Sequence, residues 1–155
     1  MSRTVTRIAA GAAAGVVALA LSACSPVLTT KPYAAGDGSR VTWQGTDAVR
    51  GENIIVLSDA EGGEGRVVGG LTNATGEPVE ITLGFAGGTS QTVTVDARST
   101  LLMNGSDEGD VVLDDVPAAP GANIEMTFAT PSLGQVSVPV PVLDGTFEPY
   151  ADLVP

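Results

Sequence analysis

The sequence predicts an all-β chain, an immunoglobulin-like or cupredoxin-like antiparallel β-sandwich of about seven or eight strands. Three observations lead there. Apolar residues alternate with polar ones in at least four separate runs. Gly-containing turn pairs punctuate these runs at the spacing of short strands: Gly62-Gly63, Thr75-Gly76, Gly87-Gly88, Asn104-Gly105, Pro120-Gly121 and Asp144-Gly145. Beyond the N-terminal apolar stretch, no segment sustains a helical apolar period. The domain is expected over residues 48–145, with 146–155 as a C-terminal tail.

In chain order, Asn53–Leu57 is almost continuously apolar, as expected of a central strand covered on both faces. Gly65–Asn73 follows a Gly-rich turn, and its Gly69-Gly70 pair predicts a bulge or a close backbone approach. Val79, Ile81, Leu83 and Phe85 alternate with Glu80, Thr82 and Gly84, so Ile81, Leu83 and Phe85 are expected on one buried face. Val93 and Val95 alternate with Thr92, Thr94 and Asp96. Ser99–Met103 and Asp110–Leu113 are two further strand candidates. Ile124, Met126 and Phe128 alternate with Glu125, Thr127 and Ala129. Val136, Val138, Val140 and Val142 alternate with Ser137, Pro139 and Pro141. The two prolines delete donors on one side of this last strand, so that side is an edge or a bulge there.

The first residues read as an address. Arg3 and Arg7 precede Ile8–Leu21, fourteen residues without a charge. This is short for a membrane span, which takes about 20 apolar residues, and it fits a secretory signal core. Leu21-Ser22-Ala23-Cys24 resembles the lipobox of bacterial lipoproteins. The resemblance implies signal-peptidase recognition of Leu21, Ser22 and Ala23, cleavage after residue 23, and a diacylglyceryl thioether on Cys24. Residues 1–23 are then a lipoprotein signal peptide and 24–47 a lipidated tether, with Trp43 docking on the folded domain. The expected location is the extracytoplasmic face of the cell membrane, held by the lipid. Stable anchoring takes two apolar chains, which a diacyl group supplies.

Composition excludes more than it assigns. The chain has 155 residues, net charge −11, no His, one Cys and 4% aromatics. Removal of 1–23 leaves 132 residues with five basic and eighteen acidic groups. Such a body repels nucleic-acid phosphates, and no nucleic-acid partner is expected. Without His there is no Ser-His-Asp or Cys-His catalysis, and the only Lys, Lys31, lies in the tether. The chain is read as a non-enzyme with no cofactor and no bound metal. Its function is that of a binding or structural accessory module with an envelope protein partner.

Three motifs invite chemistry. Gly63, Gly65 and Gly69 superficially suggest a nucleotide loop, but the spacing is one residue too long and a strand follows, so a hairpin turn is expected. Asp107, Glu108, Asp110, Asp114 and Asp115 form the densest acidic cluster, without the spacing of a twelve-residue calcium loop. It reads as a solvated loop. Asn73-Ala74-Thr75 has the form of a glycosylation sequon.

The segments Gly65…Gly70-Leu71-Thr72-Asn73…Glu77-Pro78-Val79, Ile124–Phe128 and Val136–Val140 resemble a family of small actinobacterial surface lipoproteins. These in turn are similar to periplasmic copper chaperones of the PCuAC type, with a cupredoxin-like sandwich. That resemblance implies Cu(I) binding through His and Met, since soft ligands suit that ion. The implied His-x-Met stretch falls near Gly109–Val111, where neither residue occurs. Met103 and Met126 remain, both expected in the core. The alternative function is therefore a degenerate or altered copper metallochaperone.

Overall fold

The computed structural model describes residues 36–86 and 88–155. The described residues form nine strands: β1 Ser39–Trp43, β2 Thr46–Leu57, β3 Gly65–Asn73, β4 Val79–Phe85, β5 Ser90–Val95, β6 Ser99–Met103, β7 Val111–Leu113, β8 Asn123–Thr130 and β9 Gly134–Leu143. A four-residue helix, α1 Glu148–Ala151, lies near the C-terminus. No described helix is long and apolar enough to cross a membrane.

The strands follow one hydrogen-bonded path, β5-β4-β8-β9-β2-β3-β6, with β1 added to β2 and β7 added to β3. The path folds into two facing layers. One holds β5, β4, β8 and most of β9; the other holds β1, β2, β3, β6 and β7. Period-2 alternation dictates what lies between them. Ile81, Leu83 and Phe85 of β4 point inward with Ile124, Met126 and Phe128 of β8, while Glu80 and Glu125 face solvent. The opposite layer contributes Val41, Trp43, Ile54, Val56, Val67, Leu71 and Met103 to the same core. The expected all-β sandwich is the observed fold.

Two departures refine that expectation. The sandwich begins at Ser39, not at residue 48, so part of the stretch read as tether is sheet. Val41 and Trp43 are buried between exposed Arg40 and Thr42, and the two-residue Gln44-Gly45 loop closes the β1–β2 hairpin. Gly45 sits at φ 88°, the left-handed region such a turn needs. Nor is the sandwich wholly antiparallel. β9 joins β2 in parallel over Val56↔Val142 and Leu57↔Leu143. The ladder starts only there because Pro139 and Pro141 have no N–H to offer β9's neighbour on that side.

Gly69 answers the bulge expectation. Glu52 pairs with Gly70 and Ile55 with Val68, so Asn53 and Ile54 together oppose Gly69. Gly69 has φ 138°, and a Cβ there would lie 2.7 Å from the Asn53 carbonyl oxygen. This bulge turns β2 from its partnership with β1 to its partnership with β9.

The continuous apolar run of β2 also has its reason. Ile54 and Val56 enter the main core, whereas Ile55 and Leu57 face the outside of the sheet. There they are buried with Val68 beneath Leu143, Tyr150, Leu153 and Val154. The tail 146–155 is thus a cover on the second face of the central strand. The Tyr150 hydroxyl donates to Asp37 Oδ2 at 3.3 Å, and Phe147 meets the Tyr150 ring edge-on with centroids 5.3 Å apart. Burial, and then the Asp37 charge, raise the Tyr150 phenol above its ordinary pKa.

Candidate functional site

Leu21, Ser22, Ala23 and Cys24, with the signal core and the first part of the tether, lie outside the described residues. Two places within the sandwich remain candidates for function: the methionines and the acidic loop.

Met103 ends β6 opposite Gly69 and is 1% exposed. Met126 lies in β8 opposite Val138 and Phe85 and is fully buried. Both thioethers belong to the apolar core, as their alternation with Ile124, Phe128 and Leu101 requires. A copper ion would need soft donors open to its entry, and these two are closed off from solvent.

The Gly109–Val111 position, where the resemblance implies copper ligands, is built differently. Gly109 is buried, and any Cβ there would run into the Leu102 carbonyl group. Asp110 is a hard carboxylate held by Arg66, whose Nε lies 2.8 Å from Asp110 Oδ1. Val111 points into the core. These residues do not fit a Cu(I) site.

The five acids of the loop do not act as one cluster. The short strand β7 divides them. Asp107, Glu108 and Asp110 precede it and border a cleft between β5 and β6. Asp114 and Asp115 follow it on the other side, where the Asp114 N–H donates to Thr89 Oγ1 at 2.9 Å. Among the described residues, no three acidic, His or Cys side chains converge to hold a metal ion.

The cleft has about 480 Å³ of free volume. Its walls are Thr92, Val93 and Thr94 of β5 and Ser99, Thr100 and Leu101 of β6. Asp96, Asp107, Glu108 and Asp110 also line it. β5 and β6 are the two ends of the strand path, and they do not pair with each other. The cleft is the gap left where the sandwich stops short of closing into a barrel.

Side chains close the gap at each end. At one end Asn73 of β3 is fully buried, and its amide donates to the carbonyl oxygens of Glu77, Val95 and Asp96 at 2.8, 3.0 and 3.1 Å. Its Oδ1 accepts from the Thr75 N–H and hydroxyl at 2.9 and 2.6 Å. The sequon asparagine is therefore a polar staple between the layers, inaccessible to modification in the folded domain. At the other end the Gln91 amide donates to the Asp110 carbonyl at 3.1 Å. The Gly63–Gly69 stretch is a turn running into β3, with no helix after it, so it offers no phosphate cradle.

Sequence reasoning did not find the cleft. Its carboxylates were visible as a run, but Asp96 and the hydroxyl walls come from strands separated along the chain. The usable signal was negative: β5 and β6 carry neither Pro nor Lys, the residues that ordinarily guard an edge.

No protein-family model matches the chain, and no curated protein matches it. Among solved structures it is similar to a copper-bound PCuAC domain from PmoF2, with a TM-score of 0.50 and 15% sequence identity. The match covers 68% of this chain and 98% of that domain. At that identity the likeness is one of fold alone, a cupredoxin-like β-sandwich similar to that of the PCuAC domain.

Proposed function

We propose that the protein is a lipid-anchored extracytoplasmic lipoprotein whose sandwich serves as a non-catalytic binding or accessory module for an envelope partner. We place it with small actinobacterial surface lipoproteins that use a PCuAC-like scaffold without its copper chemistry. The observation that carries the loss of copper chemistry is the burial of Met103 and Met126 in a chain that has no His. Fold likeness does not transfer the metal, because function lives in the ligand set and not in the scaffold.

Anchoring rests on Leu21-Ser22-Ala23-Cys24 after an uncharged core. Its test is metabolic labelling with a lipid precursor in an actinobacterial host. The wild type is expected to carry label and to fractionate with membranes. Cys24→Ser is expected to give an unlabelled band. Label retained by the variant would reject the anchoring.

Copper delivery is the second reading, favoured by the copper-bound state of the similar domain. A competition titration against a Cu(I) chelator separates the two. The expected result is no stoichiometric capture. Capture that is lost in Met103→Leu or Met126→Leu would make the metallochaperone the better reading.

A further inference from the structure

We infer that the β5–β6 gap is a docking site for an extended, basic polypeptide segment that adds to the exposed strand edges. The inference deepens the binding-module reading and rests on it.

Three features on different elements agree. The first is hydrogen-bonding capacity. β5 pairs only with β4, and β6 only with β3, so each presents one row of backbone N–H and C=O groups without a ladder partner. An extended peptide satisfies such a row by strand addition. The second is space. The gap holds about 480 Å³ between the two strands, within the range of roughly 300–1,000 Å³ common for ligand clefts. Asn73 and Gln91 pin its ends, so the walls are held apart rather than left free to collapse.

The third is charge. Asp96, Asp107, Glu108 and Asp110 border the gap, and of these only Asp110 has a cationic partner among the described residues. Carboxylates beside an open edge repel another copy of this acidic chain and attract Lys or Arg. The walls suit the alternation of a strand. Thr92, Thr94 and Thr100 line the gap with hydroxyls, those of Thr92 and Thr100 bonded to Thr82 and Thr72 within their own layers, while Val93 and Leu101 line it with apolar surface. The occupant is thus a basic segment with small or β-branched residues between its charges, supplied by a partner protein.

The test uses the full chain purified from its host membrane in detergent. The probe is a fluorescent nonapeptide alternating Lys with Thr and Val. Two twins accompany it, one with Glu for every Lys and one with Pro at alternate positions. Binding is read by anisotropy and located by hydrogen-exchange mass spectrometry.

The lysine peptide is expected to bind and to slow exchange in β5 and β6. Its affinity is expected to fall by about tenfold on raising salt from 0.05 to 0.5 M, as exposed charge pairs are screened. Asp107→Asn with Glu108→Gln, both at exposed positions, is expected to weaken it about threefold or more. The proline twin is expected to bind about tenfold more weakly, because it cannot complete a ladder.

Equal binding of the proline or glutamate twin would overturn the inference. So would protection spread away from β5 and β6, or no binding at about 1 mM peptide. Lipid labelling and copper titration are read separately. A protein that is anchored and copper-free yet ignores the peptide therefore fails this inference alone.

Discussion

Strands from the two layers lie side by side without a ladder in two places, along β1 and β9 and along β5 and β6. At the first, Pro139 and Pro141 remove two donors from β9 on the side away from β8. β1 lies against that side and binds it through side chains. The Trp43 indole donates to the Gly134 carbonyl at 3.1 Å, and the Ser39 hydroxyl donates to the Pro139 carbonyl. Trp43 is 2% exposed, so the flank is filled as well as blocked. At the second, there is no proline and no large side chain in the gap. Hydrogen bonds pin the ends, and the middle stays open between hydroxyls and carboxylates. Both arrangements prevent uncontrolled strand addition. Proline and Trp43 do so for any chain, whereas carboxylates do so only for chains of the same sign. A closed flank and a selective one follow from that difference.

The largest effect is expected from opening the closed flank. Trp43→Ala removes the biggest side chain in the core and its bond to Gly134, and such truncations typically cost about 3–5 kcal/mol. Urea unfolding measures it. A loss below about 1 kcal/mol would show that β1 is not what closes the sandwich beside β9.

A smaller loss is expected at the pinned end of the gap. Asn73→Ala takes the donor from the buried Val95 carbonyl, and an orphaned buried group costs about 1–3 kcal/mol, whereas the Glu77 carbonyl keeps the Thr75 hydroxyl and Asp96 is exposed to water. Faster amide exchange in β5 should accompany the loss. Unchanged exchange there would mean that Asn73 does not hold the gap.

The smallest effect on stability is expected from Pro139→Thr with Pro141→Thr. Pro139 is exposed and Pro141 half-buried, so the restored donors can reach water or β1 and are expected to change stability by less than about 1 kcal/mol. The change should appear instead as slowed exchange along β1, or as self-association of the variant. Neither outcome would show that the prolines are not what keeps β9 from pairing on that side.

Much of the scaffold was legible because alternation is a local property. The bounds of β3, β4 and β6 follow from their own residues, and so does the inward face of Ile81, Leu83 and Phe85. The prolines of β9 revealed an unpaired side for the same reason: a missing donor is missing in any context. β1 was hidden although Val41 and Trp43 alternate correctly. Its flanking glycines, Gly36, Gly38 and Gly45, read equally well as linker punctuation. Only the fold shows that Gly38 lets the chain pass against Asn53, whose side chain accepts its N–H at 2.8 Å. The tail was hidden because its four-residue helix is too short for a period to register.

Composition alone removed His-based catalysis and imidazole ligation, since no fold can supply a residue the chain lacks. Local pattern alone set the β class and sent Met126 inward. Tertiary structure decided which strand ends meet, and that is where the candidate site arises. Asp96, Thr100 and Asp107 acquire a common meaning only because β5 and β6 end the strand path on facing layers. Asn73 likewise becomes a staple only when β3 crosses opposite the end of β5. Side-chain period is written between neighbours along the chain. Closure depends on the summed twist and register of all the strands between its two ends, a long-range quantity that no single segment carries.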